Sequence, residues 1–114
     1  MDIYTVKCTY AVCIMIKQKK FLFDWDKGNR TKNLIKHSIS IEEQEEAFYD
    51  VRSKRFDDPK HSVNERRFLL FGETKQGKRL VVAFTIREGR IRPISARPMN
   101  RKEAIIYEEA IKFA

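Results

Sequence analysis

The stretch HSVNERRF, residues 61–68, places an imidazole, a carboxylate and two guanidinium groups close together in the chain. His61 and Glu65 are residue types that take or give a proton, and Arg66 and Arg67 are types that stabilise developing negative charge. Together they could deprotonate a ribose hydroxyl and stabilise a phosphorane. The alternative is a polar loop with a solvated charge cluster, because structural ion networks are common.

A second stretch, RIRPISARPMNRKE at residues 90–103, carries Arg90, Arg92, Arg97 and Arg101 and no lysine before Lys102. A guanidinium is a planar, bidentate donor suited to phosphate and carboxylate, whereas an ammonium acts as a point charge. Neighbouring strands add arginines to the same predicted sheet: Arg66 or Arg67, Arg79 and Arg87. Because like charges side by side cost stability, the pattern indicates a bound anion, most simply phosphate. An acidic protein partner and a solvated outer face are the alternatives.

Other candidate residues have simpler explanations. His37 ends the first predicted helix, where the helix dipole favours a histidine, and Tyr107 is expected in the core with a solvated hydroxyl. Trp25 and the phenylalanines are also expected in the core, so the sequence gives no sign of a stacking platform for single-stranded nucleic acid. It contains no glycine-rich phosphate loop, no G-x-S-x-G motif and no carboxylate set suited to magnesium. A nuclease built on it would therefore be metal-independent.

The charge balance favours an anionic partner. The 114-residue chain has a formal charge of +8, with 42% hydrophobic and 35% charged residues, a composition typical of one globular domain. The positive charge is concentrated late in the chain, because residues 60–102 hold twelve Lys/Arg and three Asp/Glu. Residues 41–50, in contrast, hold five acidic residues and no basic one.

Residues 1–20 are predicted to be an N-terminal extension, with Met15 as an alternative start. Cys8 and Cys13 do not have C-x-x-C spacing, and reduced thiols are the expected state. The apolar run at 10–16 is far shorter than the roughly 20 residues that span a bilayer. Lysines follow it in place of a cleavage site, so we expect a soluble, cytoplasmic protein with no membrane association.

The hydrophobic periodicity predicts the element order β-α-α-β-β-β-α. This order is typical of an α+β domain in which helices pack on an antiparallel meander. A polar segment interrupted by proline, residues 52–64, is predicted to be a loop. Four segments have the alternation of strands: residues 21–25, 65–72, 79–87 and 91–97.

Capping signals predict where the helices begin. Asp26 is the predicted N-cap of the first helix. Ser40 with Glu43, and Asn100 with Glu103, have the spacing of capping boxes and predict the starts of the second and last helices. The last helix has a predicted buried stripe: Ala104, Ile105, Tyr107, Ala110 and Ile111.

Side-chain alternation along the last strand limits how its arginines could act. In a regular strand Arg92 and Arg97 project from opposite faces. Both could serve one site only if the strand twists or bulges between them. Pro93 removes a ladder donor, so it predicts where such an irregularity lies.

Several segments of the chain occur in the order seen in one protein family. FDWDKGNRTKNLIKHSIS comes first, and AFYD, DDPKHSVNERRFLLFG and LVVAFTIREGRIRPISARPMNRKEAIIYEE follow. Over residues 21–109 this set resembles the BrnT toxins of bacterial type II toxin–antitoxin systems. Three positions depart from the family pattern. Ser38 replaces a glycine, which predicts a positive φ there; Pro93 replaces Ile or Val; and Gln44 replaces an alanine.

The resemblance implies a ribonuclease with a small RelE-like α+β fold in a single domain over residues 21–114, without a cofactor or metal. It further implies a BrnA-like antitoxin that blocks the toxin and binds operator DNA, with an expected heterotetramer of two toxins and two antitoxins. The catalytic candidates are His61, Glu65, Arg66, Arg67, Arg92 and Arg97. The candidates for substrate binding are Ser95, Arg79, Arg101, Tyr107, Lys27 and His37.

Two functions of different class follow. In an endoribonuclease toxin that inhibits translation and growth, a 2′-hydroxyl attacks the adjacent phosphate, with Glu65 or His61 as the base and the other as the acid. In a non-catalytic basic module, the same surface binds RNA or an acidic protein partner. Alanine at Glu65 separates the two, because the nuclease would lose cleavage and keep binding.

Overall fold

A computed structural model describes residues 21–112, in which three α-helices flank an antiparallel sheet of four strands. The predicted α+β class, with helices on either side of an antiparallel meander in the chain, is confirmed. The helices are α1 (Lys32–His37), α2 (Ile41–Tyr49) and α3 (Arg101–Lys112). The strands are β1 (Lys54–Asp57), β2 (Phe68–Glu73), β3 (Arg79–Arg87) and β4 (Arg90–Pro98), and a 3₁₀ turn covers Pro59–His61.

None of the helices within residues 21–112 has the length and apolar character needed to cross a membrane. The predictions for residues 1–20, including the start at Met15 and the state of Cys8 and Cys13, lie outside the described residues.

The sheet contains one strand that the sequence analysis assigned to a loop. The strand order is β1-β2-β3-β4, and β1 pairs with β2 through Lys54↔Phe71 and Phe56↔Leu69. The predicted loop at 52–64 is therefore wrong for its first half. The four residues of β1 are too few and too mixed in charge to show the alternation of a strand. They form a strand because they pair with the free edge of β2.

The prediction for residues 21–25 fails in the opposite way. The alternating pattern there predicts a strand, but the structure contains no full strand at these residues. Phe23 forms a single parallel bridge to Ile91, with Asp24 N–H donating to the Ile91 carbonyl over 2.8 Å. The alternation reflects burial: the Phe23 ring packs on Phe48 with their centroids 5.4 Å apart.

The first helix begins later than predicted. Asp26 caps a turn, its carboxylate accepting a hydrogen bond from Gly28 N–H over 2.7 Å, and helical structure starts only at Lys32. The helix ends at Ser38, whose φ of 56° and ψ of 37° are left-handed. The positive φ predicted from the replaced glycine is confirmed.

Both capping boxes are confirmed. In the first, Glu43 N–H donates to Ser40 Oγ over 3.1 Å and Ser40 N–H donates to Glu43 over 2.9 Å. In the second, Glu103 N–H donates to Asn100 over 2.8 Å and Asn100 N–H donates to Glu103 over 2.9 Å.

The two faces of the sheet bury different clusters. The face toward α2 holds the larger core, made of Ile39, Ala47, Phe48, Leu70, Leu80, Val82, Phe84 and Ala96. On the other face, here called the α3 face, Tyr107 packs on Phe71 and Val81. Within the predicted stripe of α3, Tyr107 is fully buried, but Ile105 is 50% exposed, so its prediction as a core residue is wrong.

Candidate active site

A β-bulge in β4 determines which arginines share a face. Ser95 pairs with Ala83 and Pro93 pairs with Phe84, so Ile94 is left without a partner in the register. The extra residue shifts the alternation by one position, and the predicted irregularity at Pro93 is confirmed. Arg92, Ser95 and Arg97 consequently all project from the α3 face.

The bulge is held by Asn29, in the turn before α1, and by Lys32, the first residue of α1. Its carbonyl at Pro93 accepts a hydrogen bond from the Asn29 side-chain amide over 2.8 Å, and the same amide donates to the Asp24 carbonyl over 3.0 Å. Lys32 Nζ donates to the Ile94 carbonyl over 3.3 Å. Because a bulge disrupts the ladder locally, these side chains supply partners to its carbonyls and fix its position.

A cavity of about 190 Å³ opens beside the bulge, between β4, the start of α1 and the segment before β2. Its charged lining consists of four cationic side chains and one carboxylate: Lys32, Arg67, Arg87, Arg92 and Glu65. Of the predicted site residues, the structure brings Glu65, Arg67 and Arg92 together here. This lining is suited to an anion with several oxygens, such as phosphate.

Two of these arginines are held by carboxylates. Arg87 donates two hydrogen bonds to Glu65, of 2.7 and 3.0 Å. Arg92, whose side chain is only 14% exposed, pairs with Asp26 over 2.9 Å and with Asp24 over 3.5 Å. The hydrogen bond from Arg87 keeps the pKa of Glu65 below its usual range, and that from Arg92 does the same for the pKa of Asp26. Both carboxylates are therefore ionised at neutral pH, and Glu65 has no proton to donate there.

Lys32 and Arg67 are the cations in the cavity that form no ion pair within residues 21–112. Of these two residues, Arg67 carries the guanidinium group. Arg66, its neighbour in sequence, lies over the Phe68 ring at 5.2 Å and pairs with Asp57 over 3.0 Å. Only Arg67 of this pair lines the cavity.

His61 does not line the cavity; it lies in the 3₁₀ turn. The residues that flank this turn, Asp58 and Ser62, are bonded to Arg67 of the cavity wall. Asp58 N–H donates to the Arg67 carbonyl over 3.0 Å, and Arg67 N–H donates to Ser62 Oγ over 2.9 Å. His61 Nδ1 lies 3.0 Å from the Asp58 carboxylate. In the neutral tautomer whose Nδ1 donates to that carboxylate, Nε2 is the acceptor nitrogen, and it lies on an exposed ring.

The other predicted site residues lie outside the cavity. Arg97 makes two 2.7 Å hydrogen bonds to Glu103 at the start of α3. Arg79 pairs with Glu73 and Glu108, over 3.1 and 2.6 Å. Ser95 is half-buried on the α3 face, Arg101 and Lys27 are exposed, and His37 is the last residue of α1.

Tyr107 belongs with this second group. Its hydroxyl donates a hydrogen bond to Asp50, and burial together with the negative charge of Asp50 raises the pKa of Tyr107 above its usual range. The hydroxyl therefore holds α3 to the segment after α2, in place of the solvated hydroxyl that the sequence predicted.

Sequence reasoning missed several residues of the site. Lys32 and Asn29 reach the cavity from a segment read as helix, and Arg87 was grouped only with the arginines of the sheet. The Asp58–His61 pair has a local signal, because a carboxylate three residues before a histidine can reach its ring across one turn. Within the described residues, no group of three His, Cys, Asp or Glu side chains is placed to hold a metal ion.

Residues 25–103 match a protein family. The family is described as the ribonuclease toxin BrnT of type II toxin–antitoxin systems, and the match covers more than half of the chain. The match includes every residue that lines the cavity. A comparison with curated proteins gives no match.

Proposed function

Because the chain belongs to the BrnT family of ribonuclease toxins of type II toxin–antitoxin systems, we propose that it cleaves RNA without a metal ion in the cavity beside Arg67. The observation that carries the proposal is the convergence of Lys32, Arg67, Arg87 and Arg92 on a space with one acidic lining residue. Single-stranded RNA offers the matching chemistry, a phosphodiester with a hydroxyl next to it.

In the proposed reaction, the ribose 2′-oxygen attacks the adjacent phosphorus and its proton passes to His61 Nε2. The bond from phosphorus to the 5′-oxygen breaks, and that oxygen takes a proton from the imidazolium of His61 or from water. The products are a 2′,3′-cyclic phosphate and a 5′-hydroxyl, so atoms and charge balance. The Asp58 carboxylate, 3.0 Å from Nδ1, orients the imidazole.

The choice of His61 as the base follows from the state of Glu65. Both carboxylate oxygens of Glu65 accept hydrogen bonds from Arg87. The lowered pKa of Glu65 makes it a weak base and leaves it without a proton to donate at neutral pH. We assign Glu65 the role of holding the Arg87 guanidinium in position. Arg67 and Arg87 then stabilise the phosphorane, an effect worth roughly 10²–10³ in rate for each preorganised donor at comparable oxyanion sites.

Membership of a type II family implies an antitoxin protein as partner. We propose that it is of the BrnA type, forms a complex of two toxins and two antitoxins, and carries the operator-binding surface. A toxin that acts on cellular RNA and is held by an antitoxin would work in the cytoplasm.

The test is cleavage of single-stranded RNA by the purified full chain in excess chelator, with the product ends identified. We expect 2′,3′-cyclic phosphate ends and a loss of about 10²–10³ in rate for Arg67→Ala. Arg55→Ala is the matched control, because Arg55 is an exposed arginine of β1 that pairs with Leu70 on the α2 face. Cleavage that requires an added divalent ion, or equal rates for the two variants, would contradict the proposal. Tight RNA binding without cleavage would favour the non-catalytic module.

A further inference from the structure

The α3 face carries a row of residues that no part of the proposed reaction uses. Phe56 pairs with Leu69, Leu69 with Ala83 and Ala83 with Ser95, so these four residues cross the whole sheet in register. We call them the apolar row. Tyr107 covers Phe71 and Val81, in the next row on one side, and the row on the other side leads to Arg92 and the cavity.

Phe56 makes this row unusual among the core residues around it. Its ring packs on Phe71, with the centroids 4.9 Å apart, yet 39% of the residue remains exposed. Leu69, Ala83 and Ser95 are half-buried. The row is thus a mainly apolar, partly exposed floor with an aromatic ring at one end and a hydroxyl at the other, and its Leu69 packs on the Tyr107 cluster beside it. The expectation that all phenylalanines are core residues is wrong for Phe56 and also for Phe21, which is 40% exposed.

The distance from the apolar row to the cavity matches that between a base and the neighbouring phosphate of an RNA strand. Phe56 stands opposite Leu69, and Arg67, the residue just before β2, lies two positions before Leu69 and so continues the alternation on the same face. Strand geometry separates the Cα atoms of Phe56 and Arg67 by about 8 Å. A phosphate at Arg67 therefore brings an adjacent base within reach of the Phe56 ring.

We propose that the apolar row is a nucleobase subsite, in which Phe56 stacks on a base next to the phosphate held at Arg67. The inference rests on the proposed function and specifies which part of the RNA binds at the apolar row. Aromatic rings beside a cationic groove are the usual platform for single-stranded nucleic acid, because every base has a stacking face. The continuity of the apolar row with the cationic cavity favours RNA over an apolar segment of a protein partner.

The experiment measures the affinity of the full chain for short single-stranded oligonucleotides with 2′-deoxyribose throughout, which lack the attacking hydroxyl and stay intact. One oligonucleotide has all its bases, and a matched series has an abasic site at each position in turn. Phe56→Leu keeps an apolar side chain and removes the ring, and Phe56→Trp keeps a ring. Ile86→Ala is the control: Ile86 is 47% exposed and pairs with Ile91, which packs on the core of the α2 face.

We expect Phe56→Leu to weaken binding of the intact oligonucleotide roughly 5- to 100-fold, whereas Phe56→Trp and Ile86→Ala leave it within about twofold. One oligonucleotide of the series lacks the base that stacks on Phe56, and the wild-type chain should lose affinity for it by the same factor. Phe56→Leu should bind that oligonucleotide as tightly as the wild-type chain does. Equal weakening for every oligonucleotide would overturn the inference, because the effect would not depend on a base.

The outcome also separates this inference from the proposed function. If Arg67→Ala weakens binding and Phe56→Leu does not, the cavity stands and the base subsite fails. If neither variant affects binding, the proposed function fails as well. If Phe56→Leu leaves RNA binding unchanged but abolishes capture of the antitoxin, the apolar row is a protein interface and the inference is overturned.

Discussion

Arg92 and Arg97 lie on one strand and one face, yet the two ends of β4 differ in their charge balance. At the Arg92 end, the cations Lys32, Arg67, Arg87 and Arg92 meet the carboxylates Glu65, Asp24 and Asp26, an excess of one positive charge. At the Arg97 end, the cations Arg52, Arg79 and Arg97 are all paired with carboxylates, those of Asp50, Glu73, Glu103 and Glu108. Arginine content alone thus does not distinguish the two ends, whereas the cations left after internal pairing do.

The largest expected effect lies at the cavity end. His61→Ala should reduce the rate of RNA cleavage by about 10²–10⁴, because a general base contributes that much. Asp58→Asn should reduce it less, since the amide still contacts Nδ1 but, unlike the carboxylate, does not fix Nδ1 as the donor. Cleavage assays at saturating RNA, with the melting temperature as a check on folding, measure both. A His61 variant as active as the wild-type chain would remove His61 from the reaction.

A smaller effect, on stability, is expected at the Arg97 end. Tyr107→Phe removes the hydrogen bond to the Asp50 carboxylate, which keeps its bond from Glu73 N–H, at a cost of about 1–3 kcal/mol in the free energy of unfolding because the acceptor is charged. Urea denaturation measures the loss. Cleavage per folded molecule should stay the same, and a large fall in rate without a loss of stability would show that Tyr107 acts in the reaction.

The smallest effect concerns the two arginine–glutamate pairs. Glu103→Gln keeps the geometry of the capping box and removes the charge that pairs with Arg97, so we expect a loss of about 1 kcal/mol at pH 7. Glu65→Gln should cost less, because the Glu65 side chain is 34% exposed and that of Glu103 is 15% exposed.

The loss at Glu103 should depend on pH in a defined direction. The hydrogen bond from Arg97 lowers the pKa of Glu103 in the folded chain below its usual value of 4.5. The stabilisation is therefore complete above pH 4.5 and is lost as the pH falls through the lower folded pKa. The difference in the free energy of unfolding between Glu103→Gln and the wild-type chain should therefore shrink as the pH falls from 4.5 through the folded pKa of Glu103. A constant difference would rule out the charge as its cause.

The sequence predicted those features whose signals are local. Both capping boxes depend on residues three positions apart, whereas the positive φ of Ser38 follows from the family resemblance. The bulge at Pro93 could also be located, because a proline cannot donate to the ladder.

The parts that the sequence did not predict depend on long-range contacts. Asn29 reaches Pro93 across 64 positions, and nothing local distinguishes it from a turn residue. The strand β1 exists because β2 presents an edge to it, and with β1 comes the exposed ring of Phe56. The division of the arginines between the two ends of β4 follows from partners such as Glu103 and Asp26, whose positions only the folded chain fixes.

The central claim is that the cavity end of β4 holds an RNA phosphate and the Arg97 end does not. The most direct test compares Arg67→Ala with Arg97→Ala in the salt dependence of binding to an uncleavable single-stranded oligonucleotide. Loss of one phosphate contact lowers the slope of log affinity against log salt by about 0.7 for single strands. We expect that reduction for Arg67→Ala and an unchanged slope for Arg97→Ala. The reverse result, or equal slopes for both variants, would contradict the account.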